Sequence, residues 1–259
     1  MSSPLRGPQL GEGIYTTLLW GAGPPPTWPL HLRRLQRDAD QLGLAPPEVD
    51  QIRQLVEDHL RLHPWPGLKR LRIRWWADGG EPLSQAAPHG RWELHAQPLD
   101  PNQRPGPAVA LLSCGPARFP RLWAGAKVTA IGEDLAWRRR VQRQVPGESE
   151  ALLCTESGLW SETPTAALLA GLADGQVACV APEAWPVRST TLQGLRAGDL
   201  GHKIGELALG SSDLPRLRWM ALINAVAGAR PVASLDGHAL EPPPDHWLEA
   251  ARLLTEPIG

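Results

Sequence analysis

The order in which strand-like and helix-like apolar patterns follow one another constrains the fold of this chain more than any single motif. The first pattern, Gly13-Ile14-Tyr15-Thr16-Thr17-Leu18-Leu19-Trp20, is β-branched and aromatic and reads as a strand. Gly21-Ala22-Gly23-Pro24-Pro25-Pro26 ends it. Leu32, Leu35, Ala39 and Leu42 then repeat at helical spacing, with Gly43 suited to the C-terminal cap. A second helix is expected over Pro47–Leu62, and strands over Leu68–Trp76 and Arg91–Gln97, with a turn at Asp78-Gly79-Gly80. The opening half therefore reads β-α-α-β-β. Pro98, Pro101, Pro105 and Pro107 mark a linker. Beyond it the patterns predict a strand at Ala108–Cys114, a helix at Gly132–Gln144 and a hairpin joining Leu152–Thr155 to Gly158–Trp160. A second hairpin joins Ala166–Leu172 to Gln176–Ala181 through Asp174-Gly175. A short helical region near 192–209, strands at Trp219–Asn224 and Val232–Leu235, and a helix at Asp245–Leu254 complete the chain. Strands and helices mix without regular βαβ alternation. An α+β fold of two lobes is expected rather than a doubly wound sheet, with a smaller domain over 1–105 and a larger one over 106–259.

The 259 residues are enough to bury a sizeable core. Lys and Arg number 26 and Asp and Glu 27, so the net charge is −1. That balance gives no general reason to bind nucleic acid or an anionic membrane. No window approaches a membrane-spanning apolar run, and the N-terminal Met-Ser-Ser-Pro-Leu-Arg-Gly-Pro lacks a signal core, so a soluble cytoplasmic protein is expected. Cys114, Cys154 and Cys179 have no CxxC spacing and suggest neither zinc nor a disulfide framework. Lysine is scarce. Chemistry that needs one must choose among Lys69, Lys127 and Lys203.

Common catalytic signatures are missing: there is no G-x-G-x-x-G, Walker A, G-x-S-x-G or H-E-x-x-H. His59 and His63 are spaced for one helix face, but no third ligand stands near in sequence, and no metal is expected. Arg138-Arg139-Arg140 reads as a solvated helix face.

Several short segments, in order, resemble the class IV aminotransferase family of pyridoxal-phosphate enzymes. That family includes branched-chain aminotransferases, D-amino-acid aminotransferases and aminodeoxychorismate lyases. Gly13-Ile14-Tyr15-Thr16-Thr17 is similar to its early Gly-Val-Phe-Glu-Thr strand, and His31-Leu32-Arg33-Arg34-Leu35 to its His-Leu-x-Arg-Leu helix. Glu150-Ala151-Leu152-Leu153, then Gly158, then Glu162, is similar to its Glu-Ala-Leu hairpin. Asn224-Ala225, followed by Pro231-Val232, is similar to its lyase-like ending. The resemblance implies a two-lobed fold of type IV, like the D-amino-acid aminotransferases, with pyridoxal 5'-phosphate as cofactor and a homodimer as assembly.

The cofactor needs a lysine, an acid for its pyridine nitrogen and donors for its phosphate. The resemblance assigns Lys127 as the cofactor-bearing lysine, with Lys203 as its rival. Lys69 sits in an Arg-rich strand whose charges are expected to face solvent. Glu162 is assigned to the pyridine nitrogen, Arg34 to the phosphate and Tyr15 to the substrate; Arg33 and Arg37 are expected in solvent. Gln193-Gly194-Leu195-Arg196 is similar to the family's Gly-Ile-Thr-Arg turn, so Gly194, Leu195 and Arg196 are expected on the phosphate, with Asn224 and Ala225 as a second cradle.

Three departures stand out: the turn's Thr is missing, the Asn five residues after the glutamate is Ala167, and the acidic residue of the first strand is Thr16. The leading reading is a 4-amino-4-deoxychorismate lyase, which forms 4-aminobenzoate and pyruvate. A class IV aminotransferase for branched-chain or D-amino acids stands second. A cofactor-free binding or regulatory protein on the same scaffold, motivated by the departures, stands third.

Overall fold

A computed structural model of the chain describes residues 6–64, 66–78 and 89–258. It divides into two compact units. One comprises Met1–Asn102, Ala126–Ala130 and Glu256–Gly259; the other comprises Gln103–Gly125 and Ile131–Thr255.

The first unit contains helix α1 (Arg6–Leu10), strand β1 (Gly13–Trp20), helices α2 (Trp28–Gln41) and α3 (Val49–Leu62), and strands β2 (Lys69–Asp78) and β3 (His89–Pro98). The strands form one antiparallel sheet in the order β1-β2-β3. Ile14, Leu18, Leu71, Ile73 and Trp75 come from one sheet face. They pack with Trp28, Leu32, Leu35 and Ala39 of α2 and with Ile52 and Val56 of α3. Each helix therefore buries its apolar stripe against the sheet. Gly79 and Gly80 of the expected turn lie outside the described residues.

Lys69 does not face solvent as expected. It is buried, in register with Leu71 and Ile73, while Arg70, Arg72 and Arg74 share the other face. Strand alternation separates residue 69 from residues 70, 72 and 74, so the run of charges does not share one face. The Lys69 ammonium donates to the Gly67 carbonyl at 3.2 Å.

The second unit is built on a nine-stranded mixed sheet. Its elements are β4 (Val109–Arg118), α4 (Gly132–Gln144), β5 (Ser149–Thr155), β6 (Trp160–Glu162), β7 (Ala167–Leu172) and β8 (Val177–Val180). They continue with α5 (Thr190–Ala197), β9 (Ile204–Leu207), β10 (Leu217–Asn224), β11 (Gly228–Leu235), β12 (His238–Ala239) and α6 (Asp245–Thr255). The order is β6-β5-β4-β11-β10-β7-β8-β9, with β12 on β11. Alternation along β7 and β10 feeds two cores. Leu168, Ala170, Met220 and Leu222 join one, while Leu169, Ala221 and Ile223 join the other with Leu195, Trp247 and Ala251. Both faces of these central strands are thus covered, which is why they read as continuous apolar runs.

The region near 192–209 is helical only in part. α5 ends at Ala197, a 3-10 turn follows at Gly201–Lys203, and Ile204–Leu207 pairs in parallel with β8. The backbone edge of β8 supplies the ladder bonds that the helix pattern does not foresee.

Candidate active site

α2 carries His31, Arg34 and Asp38 at spacings of three and four, so they share a stripe beside its apolar one. All three are buried, Arg34 to 5% exposure. An Nη2 of Arg34 donates to Thr16 Oγ1 on β1 and lies 3.4 Å from His31 Nδ1. Thr16 Oγ1 and His31 Nδ1 are 2.6 Å apart. Arg34 can only donate, so its Nη2 contact with His31 Nδ1 points to an unprotonated Nδ1 that accepts from the Thr16 hydroxyl and leaves the imidazole proton on Nε2. Burial, then the charges of Arg34 and Lys127, hold the His31 pKa well below the ordinary histidine value, so the ring is neutral.

Arg34 is therefore a buried cation bonded to a hydroxyl and a neutral ring. Its Nε has no partner among the described residues. Burial lowers its pKa to about 10, against the opposing charges of Asp38 and Tyr15. A guanidinium in that state is suited to an incoming anion. Arg33 is exposed, as expected. Arg37 is not free in solvent: it is half-buried and its Nε donates to Asp38 Oδ1 at 2.9 Å.

Lys127 lies in the five-residue segment Ala126–Ala130, which runs antiparallel to the free edge of β1. The Tyr15 N–H donates to the Lys127 carbonyl at 3.0 Å, and the Thr129 N–H to the Gly13 carbonyl at 2.9 Å. The Lys127 N–H donates to Asp38 Oδ2 at 2.8 Å. Its ammonium sits 4.8 Å from the centroid of the Tyr15 ring, and the Arg72 guanidinium carbon lies 5.5 Å from the same centroid. The first unit thus brings Lys127, Tyr15, Arg34, His31, Thr16 and Asp38 into one connected group. Lys203 belongs to the other unit and is exposed.

In the second unit Glu162 ends β6 and is 5% exposed. Arg118, at the end of β4, reaches past β5 to Glu162 Oε1 at 2.9 Å. The same guanidinium makes two bonds to Asp134, at 2.6 and 2.9 Å. Burial works against the Arg118 charge, but Glu162 and Asp134 outweigh it and raise its pKa. Asp134 lies in the first turn of α4, where the helix dipole favours an anion. The result is a carboxylate fixed by a fork-shaped cation that is itself fixed. Ala167, beyond Glu162, is buried at the start of β7.

Gly194, Leu195 and Arg196 do not form a turn. They lie inside α5, and Gly194 and Leu195 are buried. Arg196 is exposed and pairs with Glu206. The helix begins four residues before Gly194: Ser189 is the N-cap and its Oγ accepts the Leu192 N–H at 3.3 Å. The first intrahelical bond runs from Gln193 N–H to the Ser189 carbonyl, so the Thr191 N–H lies ahead of the ladder. The Thr191 hydroxyl is buried without a hydrogen-bond partner among the described residues. Asn224 and Ala225 lie where β10 passes into β11. There the Asn224 side-chain oxygen accepts the Val226 and Ala227 N–H groups at 2.9 and 2.7 Å, which closes the turn.

Reading the sequence missed Asp38, Arg118, Asp134 and the Ser189–Thr191 start. The spacing of His31, Arg34 and Asp38 beside an apolar stripe carries a signal for the first. Arg118 and Asp134 are joined to Glu162 only by the sheet order, which no local pattern records.

The family model for Amino-transferase class IV matches residues 13–235. The chain belongs to the class IV aminotransferase family. It is accordingly a pyridoxal-phosphate-dependent enzyme, and pyridoxal phosphate is its cofactor. A comparison with curated protein sequences gives no match. Among solved structures, the chain is similar to the PLP-bound form of a hypothetical aminotransferase from Mycobacterium tuberculosis. The identity is 20%, with 98% of this chain and 93% of that chain covered and a TM-score of 0.84. It is also similar to a Legionella pneumophila chain named "Putative 4-amino-4-deoxychorismate lyase", at 18% identity, 96% and 92% coverage and a TM-score of 0.85. The branched-chain amino acid aminotransferase from Escherichia coli aligns at 16% identity, 96% and 85% coverage and a TM-score of 0.76. These likenesses identify the fold as the type IV fold of that family. No helix among the described residues is long and apolar enough to cross a membrane.

Proposed function

We propose that this enzyme is a 4-amino-4-deoxychorismate lyase that releases pyruvate and 4-aminobenzoate. The observation that carries the cofactor roles is Arg34, a buried guanidinium whose Nε has no partner, and which bonds no carboxylate, among the described residues. That is the state expected of a cation awaiting a phosphate. The start of α5, where the Thr191 hydroxyl is buried with no partner among the described residues, independently offers a backbone dipole suited to an anion. In this reading the phosphate site uses Thr191 in place of Gly194, Leu195 and Arg196, and keeps the Asn224–Ala225 turn.

Pyridoxal phosphate, when bound, supplies an electron sink for the carbon that bears the substrate amine. Glu162 would hold the proton on the pyridine nitrogen, and Arg118, bonded to its Oε1 at 2.9 Å, would aim the carboxylate. Lys127 would hold the cofactor through its side-chain amine, and that amine, when free, would take the proton from the amine-bearing carbon of the substrate. Tyr15, under the Lys127 ammonium, lines the substrate side. Loss of pyruvate aromatises the product, which makes elimination strongly downhill. A homodimer belongs to the same proposal.

The lyase branch is supported by Asn224-Ala225 with Pro231-Val232 six residues on, and by the likeness to the Legionella chain. The transaminase branch is supported by a Mycobacterium tuberculosis structure solved with α-ketoglutarate and PMP, of which 93% is covered at 20% identity. Single-turnover product analysis separates them. The lyase reading expects 4-aminobenzoate and pyruvate from aminodeoxychorismate with no keto acid added. If 4-aminobenzoate never forms, while a branched-chain or D-amino acid converts the cofactor to its amine form, the transaminase reading replaces it.

A further inference from the structure

Asp38 is a buried carboxylate, 1% exposed, and the roles given above do not use it. Removing a carboxylate from water is costly unless its oxygens are bonded. Both are. Oδ1 accepts the Arg37 guanidinium, and Oδ2 accepts the backbone N–H of Lys127 at 2.8 Å. The second bond is the unusual one. Lys127 sits in a five-residue segment with no helix of its own, attached to the edge of β1 by the Tyr15 N–H on its carbonyl and by Thr129. Asp38 attaches the other side of the same residue to α2. The two peptide groups flanking the Lys127 Cα are thus held from two different elements, while its side chain stays half-buried over Tyr15.

We propose that Asp38 is a positioning residue for Lys127: its Oδ2 fixes the lysine backbone so that the side chain starts from one place. A lysine chain has four rotatable bonds, and a loose origin would spread its amine over several ångströms. Near-attack geometry tolerates far less than that. Asp38 also lies one helical turn from Arg34 and adds negative charge beside it, which couples the lysine anchor to the proposed phosphate contact. The inference rests on Lys127 as the cofactor-bearing lysine.

Asp38→Ala and Asp38→Asn test it. Asparagine keeps an oxygen for the Lys127 N–H; alanine does not. In the apo-protein, hydrogen–deuterium exchange at the Lys127 amide is expected to quicken about tenfold in Asp38→Ala, the factor one charge-assisted bond supplies. In Asp38→Asn it is expected to stay near the wild-type rate. The rate at which borohydride traps pyridoxal phosphate on the protein should fall in the alanine variant and recover in the asparagine variant, and kcat should follow with KM less affected. Unchanged Lys127 exchange in folded Asp38→Ala would overturn the inference, as would equal losses in both variants. If Asp38→Ala does not fold, folded Asp38→Asn decides alone: retained protection supports the inference and lost protection defeats it. Peptide mapping of the wild type tests the underlying reading separately. A pyridoxyl group on another lysine would fail that reading whatever the amide does.

Discussion

A neutral histidine enclosed by two cations sets a pH dependence at the level of a single residue. His31 is fully buried, and its pKa is held below 6.5 by burial, Arg34 and Lys127. The unfolded chain takes up a proton below about pH 6.5, and the folded chain refuses it. The native state then binds fewer protons, so stability is full above that pH and falls as pH drops, by up to about 1.4 kcal/mol per pH unit. His31→Asn keeps an acceptor for the Thr16 hydroxyl and removes the titration. Urea unfolding at pH 7.5 and 5.5 should show a smaller acid loss in that variant than in the wild type. Equal losses would mean that His31 is not the group responsible. Arg34 and Glu162 were legible in the sequence because short motifs carry them. Asp38 and Arg118 were not, because a charged residue reads as solvated until a partner across the fold is known.

The start of α5 shows how an element's register decides which residues can hold an anion. A glycine in Gly194-Leu195-Arg196 reads as a turn, yet the helix starts at Thr190 and Ser189 caps it. A Ser cap needs no glycine, and a buried Gly inside a helix is indistinguishable in sequence from a turn Gly. The proposed phosphate contact therefore moves to Thr191. Thr191→Val removes a buried hydroxyl that has no partner among the described residues, so the apo-protein should lose no stability. Affinity for pyridoxal phosphate should nonetheless fall by roughly threefold to tenfold. Arg196→Ala should leave that affinity unchanged, since the side chain is exposed on Glu206. Equilibrium titration of both variants checks the pair. A loss confined to Arg196→Ala would restore the turn reading. Elsewhere the apolar periods of β1, α2, β7 and β10 locate those elements well. Ile204–Leu207 was illegible because four residues acquire strand character only from β8 beside them.

Across the whole molecule, the order of strands and helices was legible from periodicity, while the sheet order was not. Nothing local records that β4 lies between β5 and β11, or that Ala126–Ala130 belongs with β1 and α2. That five-residue excursion carries Lys127 and has no period of its own. Its placement beside Tyr15 and Asp38 separates Lys127 from the other two lysines: Lys69 is buried on the Gly67 carbonyl, and Lys203 is exposed on a 3-10 turn. The most direct test is to load the wild-type enzyme with pyridoxal phosphate, reduce it with borohydride, and map the modified peptide. The pyridoxyl group should be recovered on Lys127, in the segment between Gly125 and Ile131. Recovery on Lys203 or Lys69 would contradict the assignment of Lys127 and, with it, the chemistry derived from that residue.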